Sequence, residues 1–476
     1  MGKLTKNYIY NVSYQIMVII TPIFTAPYLA RRLGAVNLGT HAYVFSIVSF
    51  LSFLSLDMGY FAGRQIAYSK DSKEKLNEAF SELFTDRIVL AIFSSIVYLT
   101  IAFLYKEFTI YLLIYFIHYL GNICDISWLF IGMEDMRVYV RRNFIVKTLT
   151  ILGIFLIIKN ENDLIKYIAI ESVSTLIANL SVVFSARKYI DKVYLNFNNL
   201  FSNILSAAWL FMPTLAQKVY NVTDKLMIKH LIEDISEVSF YEYSIKLIAI
   251  PLALITALSA VVMPRLANEF ANKRTENIKK LLGLSLQFSL FFAIPLSFGL
   301  VLISKKFIPW YLGNEYLPVI YGIIVMAPIT IANILRAVSG GQYLTAVKQT
   351  GIILVSEIVS IFVNIVINAM LIPRLGYYGA SVSTVVTSFG VAIVQMIYLF
   401  RSVKLEGIFT YFTKYMIFSF IYFILVYVIT VNMNAKVSTT LIQIALSVLI
   451  YFALNFITKD DIATIILQRI RNVLKK

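Results

Sequence analysis

Residues 411–431 read YFTKYMIFSFIYFILVYVITV, and residues 437–457 read VSTTLIQIALSVLIYFALNFI. Lys414 is the lone charge in the two stretches. A helix of about twenty apolar residues spans the roughly 30 Å of hydrocarbon in a bilayer. The same pattern recurs back along the chain, near 7–30, 38–62, 78–104, 108–132, 138–158, 163–186, 200–227, 238–264, 280–303, 316–338, 349–372 and 377–400. Alternating segments of about ten residues, the mark of a membrane barrel, do not occur. Composition agrees: 59% of the 476 residues are hydrophobic and 14% charged, against roughly 25% charged in soluble domains. The expected fold class is all-α integral membrane, with about fourteen transmembrane helices.

An even number of spans puts both termini on one side. Of the 42 Lys and Arg, about 27 fall in loops on the side of the termini and about 11 in the opposite loops, so both ends are expected to be cytoplasmic. The net charge of +16 then reports topology and membrane lipids rather than nucleic acid. Residues 1–11 lack a short apolar core and a small-residue cleavage site, so the first helix is expected to be retained. No loop is long enough for a catalytic domain. The single Cys124 permits no internal disulfide, and His41, His118 and His230 lack the spacing of a zinc site. No cofactor is expected.

The chain also reads as duplicated, as many transporters are. Residues 33–48 (LGAVNLGTHAYVFSIV) parallel 231–246 (LIEDISEVSFYEYSIK) at an offset near 200, with Tyr43 meeting Tyr243 at an offset of 200; residues 171–179 (ESVSTLIAN) parallel 380–388 (ASVSTVVTS) at an offset near 209. Both copies run in the same direction, six helices apart. The expected division is an amino-terminal lobe at 1–193, a second six-helix lobe at 199–402 around a central cavity, and two added helices with a basic tail at 405–476.

Ionisable groups at membrane depth cost several kcal/mol unless they face a cavity or a partner, so they are the first candidates for function. Lys218, Asn221 and Lys225 share a face of the seventh segment, with Gln217 and Asp224 beside it. Glu242 and Lys246, four apart, can pair. Arg87 and Lys147 lie within snorkelling reach of an interface, whereas Lys218 is deeper and favours a cavity. The candidate substrate-binding set is Lys218, Lys246, Arg87, Lys147, Asn221 and Gln217. Asp57, Asp125, Glu171, Asp224 and Glu357 are candidates for ion coupling. Stripes such as Glu357, Ser360, Asn364 and Asn368 serve helix-to-helix hydrogen bonding at least as often as ligand contact. Prolines inside several segments are tolerated because neighbouring groups satisfy the carbonyls they free. The chain has no phosphate-binding G-x-x-x-x-G-K-[ST] loop, no H-E-x-x-H and no G-x-S-x-G.

Residues 21–39 (TPIFTAPYLARRLGAVNLG), the following LDMGY at 56–60 and GRQIA at 63–67, and DISWLFIGMEDMRVYVRRN at 125–143 together resemble the polysaccharide repeat-unit flippases. These are the Wzx-type branch of the multidrug/oligosaccharidyl-lipid/polysaccharide exporter superfamily. VTDKLM at 222–227 and LIPRLGYYGASVST at 371–384 are similar to later motifs of the same family. The resemblance implies two six-helix lobes working by alternating access, and a cargo of undecaprenyl-pyrophosphate-linked oligosaccharide in the bacterial cytoplasmic membrane. It also implies work beside a polysaccharide polymerase and chain-length or assembly proteins. Intramembrane cations suit a pyrophosphate, and 31 tyrosines suit sugar faces. The body of the first helix carries no arginine, Arg31 and Arg32 lying at its outer end, which favours an O-antigen, capsule or exopolysaccharide unit over lipid II. A cation-coupled multidrug exporter of the same superfamily would want an acidic cavity, and a membrane-embedded glycan polymerase would want large outer loops.

Overall fold

The computed structural model describes the backbone of residues 3–55, 58–405 and 407–474, and their side chains except at 3–20, 54, 60, 136, 138, 213, 214, 216–218, 220, 221, 253–261 and 469–474. Asp57, and the side chains of Gln217, Lys218 and Asn221, therefore lie outside the described residues. Among those described there is helix and no strand. The helices are α1 (Lys3–Ser52), α2 (Gly59–Ser69), α3 (Lys73–Leu104), α4 (Thr109–Ile123), α5 (Ser127–Gly132), α6 (Met136–Ile157), α7 (Leu164–Ala186), α8 (Leu200–Leu231), α9 (Ser236–Ala271) and α10 (Thr275–Tyr311). They continue with α11 (Pro318–Met326), α12 (Ile329–Arg336), α13 (Thr350–Leu375), α14 (Tyr377–Ser402), α15 (Ile408–Thr430), α16 (Val437–Ile457) and α17 (Asp461–Leu474).

The apolar segments fall on these helices, and their breaks have local causes. Gly34, at φ 74° inside α1, separates the first two segments in a conformation that side chains rarely adopt. At Gly376 (φ 59°) α13 turns into α14, and the backbone N–H of Tyr377 donates to Glu237 Oε2 at 2.6 Å. Nine helices among the described residues are long and apolar enough to cross a bilayer, or ten if Pro318–Met326 and Ile329–Leu344, bent by 41°, form one span. Fourteen is not reached on length and composition alone. One physical reason is charge: Arg137, Arg141, Arg142 and Lys147 all lie on α6.

Two compact units divide at residues 229–237, one helix beyond the expected boundary at 193/199. Polar ties explain why α8 clusters with the first unit. Along α3, Asn77 Oδ1, Ser81 Oγ and Thr85 Oγ1, spaced four apart, accept the backbone N–H groups of Asp191, Tyr194 and Asn196 at 3.1, 3.3 and 2.9 Å. Asn203 of α8 then donates to Asp86 Oδ2 at 3.0 Å. The linker is laced onto α3 before α8 begins.

Local packing repeats in the two units. Tyr43 meets Phe108, at the end of the 3₁₀ turn Lys106–Phe108, with ring centroids 5.1 Å apart; Tyr243 meets Tyr316, at the end of Asn314–Tyr316, at 5.2 Å. In the second unit Pro295 removes the N–H that would bond the Phe291 carbonyl four residues earlier. Tyr451 of α16 donates to that carbonyl at 2.8 Å, and Tyr422 of α15 donates to the Pro295 carbonyl. The last two long helices are thereby fastened to α10.

Candidate functional site

In the amino-terminal unit the polar groups converge on Glu171 of α7. His41 Nε2 of α1 lies 2.8 Å from Glu171 Oε2, the Tyr115 hydroxyl of α4 donates to the same oxygen at 3.3 Å, and Tyr167 donates to Oε1 at 2.9 Å. Aromatic rings wall the cluster: Tyr167 is 4.8 Å from the His41 ring, and Phe45 lies parallel to that ring at 6.1 Å. His118 presents its edge to Phe45 at 5.6 Å, and its buried Nδ1 makes no hydrogen bond. Two of the chain's three histidines thus flank one intramembrane carboxylate. The sequence named Glu171 but set both histidines aside, because their relation to it crosses between helices.

On α6, Lys147 is four residues past buried Asn143, three before buried Thr150 and seven before buried Ile154. These positions form one stripe of the helix. The opposite face, with Ile145, Leu149, Leu152 and Leu156, is exposed and apolar. Lys147 is exposed although it shares the packed face, and no described group bonds it. At eleven residues from the start of α6 it sits about 16 Å along the axis.

The other candidates have protein partners. Arg87 Nε donates to the Ile123 carbonyl at 2.6 Å and its Nη2 to the Asn122 carbonyl, so the guanidinium caps the carboxyl end of α4, where cations are favoured. Asp125 Oδ1 accepts the Ser127 N–H at 2.8 Å and starts α5. Lys246 pairs with Glu242 at 3.0 Å, as the spacing allowed. Glu357 is ion-paired with Arg336 of α12, a partner that the sequence did not reveal. Asn364 donates to Ser383 Oγ and Asn368 to Asn364 Oδ1, each at 3.0 Å, so this stripe bonds helices. Asp224 is fully buried. The structure thus brings Glu171 into a cluster of titratable side chains and leaves Lys147 exposed, while the bonds described for Arg87, Asp125, Lys246 and Glu357 run to other groups.

A family model described as polysaccharide biosynthesis protein matches residues 4–270, more than half of the chain. The chain belongs to this family. The chain is 24% identical over 319 residues to an O-antigen transporter of Escherichia coli (strain K12), covering 65% of this chain and 76% of the other. Its fold is similar to that of a solved structure described as lipid II flippase MurJ, inward closed conformation, with a TM-score of 0.73 at 17% identity over 94% of this chain and 99% of that one. A multidrug resistance MATE family transporter of the MOP superfamily, inward-facing, follows with a TM-score of 0.65 at 10% identity, over 81% and 93%. These likenesses establish a multi-pass transporter fold.

Proposed function

We propose that this protein is a flippase that moves an undecaprenyl-pyrophosphate-linked oligosaccharide repeat unit across the bacterial cytoplasmic membrane by alternating access, for surface polysaccharide assembly. Membership of the family and the transporter fold support translocation. The observation that carries the choice of an anionic cargo is Lys147, exposed on the packed face of a membrane helix. A cation there is costly to keep unless a cavity or an anionic ligand receives it. Lys218, with Asn221 and Gln217, is assigned to the same task from its place on α8. Arg87 contributes by fixing the end of α4, and Lys246 through its pair with Glu242. The lobes proposed are 1–193 and 199–402, with 405–476 appended, and both termini are cytoplasmic.

Deleting the gene in its host should trap the lipid-linked unit on the cytoplasmic face and remove surface polysaccharide, and the wild-type gene should restore it. Normal surface polysaccharide in the deletion strain would refute the assignment.

Glu171, His41 and His118 form the proposed coupling site, where one exchangeable proton is shared among a carboxylate and two imidazoles, with Tyr115 and Tyr167 orienting the carboxylate. Glu171→Gln keeps the shape and one acceptor but removes the charge. Export in vesicles should then fall about fivefold, at the low end of coupling between sites, and stop responding to an imposed proton gradient. Tyr167→Phe should keep that response. A gradient response in Glu171→Gln equal to wild type would remove the proton from this site.

A further inference from the structure

The pocket at the loop end of α6 and α7 belongs to neither the coupling cluster nor Lys147. It encloses about 510 Å³ and is lined by Arg141, Arg142, Ile145, Phe184, Ser185 and Lys188. Of the acids at this end, Asp135 pairs with Lys188 of the pocket at 2.8 Å and accepts from Tyr189, while Glu134 pairs with Lys70 at 2.8 Å and Asp191 with Lys73 at 2.7 Å. Among the described residues no acid is paired with Arg141 or Arg142. Both arginines lie in the second turn of α6, toward the end of the helix that favours anions. Lys188 is held above the ordinary lysine range by its hydrogen bond to Asp135 and so stays charged.

Two apolar stripes lead away from these cations. On α6, Ile145, Leu149, Leu152 and Leu156 are exposed at successive turns, and on α7 Phe184, Leu180, Ile177 and Val173 are exposed in the antiparallel direction. Arg141 stands at the head of the first stripe, and Arg187 lies over the Phe184 ring at 5.9 Å at the head of the second. A cationic cup above a two-walled apolar groove has the polarity of an anionic amphiphile.

We infer that this groove is a binding site for an anionic phospholipid of the bilayer, its phosphodiester held by Arg141 and Arg142 beside the Lys188–Asp135 pair and its acyl chains lying along the exposed stripes of α6 and α7. The inference does not depend on what the protein transports. The lipid supplies the negative charge that the first turns of α6 lack, which ties the stability of the α6–α7 pair to the lipid composition of the leaflet.

The test is lipid retention by the full-length protein in detergent, read by native mass spectrometry and thermal melting during titration with phosphatidylglycerol or phosphatidylcholine. Phosphatidylglycerol should bind and raise Tm, and phosphatidylcholine should do neither. Arg141→Gln combined with Arg142→Gln should weaken phosphatidylglycerol binding roughly thirtyfold, the loss expected for two interfacial cations. The charge-matched pair Lys404→Gln and Lys459→Gln should leave binding unchanged. Equal phosphatidylglycerol binding by wild type and the arginine double variant would overturn the proposal. Inorganic phosphate raising Tm as much as the lipid would reduce the site to a free-anion site, and complete displacement of phosphatidylglycerol by equimolar undecaprenyl phosphate would assign the groove to a polyprenyl lipid; either result rejects the phospholipid.

Discussion

Lys147→Ala is expected to lower surface polysaccharide by about ten- to a hundredfold, the kinetic equivalent of a lost charge-assisted hydrogen bond of about 1.5–3 kcal/mol. Protein abundance and membrane insertion should stay at wild-type levels, because the side chain is exposed and no described group bonds it. Lys147→Arg should keep part of the activity, since charge matters more than shape to a flexible diphosphate. Lys218→Ala should act in the same direction, an expectation that rests on its position near the middle of α8. The readout is surface glycan per cell, normalised to the amount of protein in the membrane. Normal export by Lys147→Ala at normal abundance would make this lysine an interfacial anchor and move the anion site elsewhere.

Arg336→Ala should destabilise the carboxy-terminal unit by about 3–5 kcal/mol, because removing one member of a buried ion pair leaves the other charge without its partner. The side chains of Arg336 and Glu357 are 15% and 9% exposed. Arg336 closes α12 and meets Glu357 of α13, beside the π-helical turn Ala337–Leu344. Within that turn the fully buried Gln342 accepts from Ser285 Oγ at 2.8 Å. The loss should appear as a lower Tm of the detergent-purified protein and as reduced yield. Replacing both partners, Arg336→Met with Glu357→Leu, should recover most of the stability, since an apolar pair of similar volume carries no desolvation cost. An unchanged Tm for Arg336→Ala would show that water or another group already compensates Glu357.

The two experiments act on residues that differ in how far the sequence exposed them. Lys147 was legible, because a cation inside an apolar segment is conspicuous and its spacing from Asn143 puts both on one stripe. The pairing of Glu242 with Lys246 was legible for the same reason: the helix itself sets the distance between residues four apart. Arg336 drew no attention in the sequence, and Glu357 was read as a coupling candidate because its partner sits 21 residues away on another helix. The roles of Arg87 as a cap on α4 and of Asp125 as the start of α5 were hidden likewise.

The sequence by itself determined the all-helical membrane architecture, the apolar segments, the polar stripes and the motifs that place the chain in its family. These properties follow from hydrophobic length, helical period and backbone chemistry, all of which are local. Only the tertiary structure decided that His41, Tyr115 and Glu171 meet, that the 191–203 segment is laced to α3 so that α8 clusters with the amino-terminal unit, and that Arg141, Arg142 and Lys188 surround one pocket. Helical periodicity fixes which face of a helix is polar but not which helix lies opposite that face. Contacts between residues 56 and 130 positions apart, such as Tyr115 and His41 with Glu171, come from helix packing.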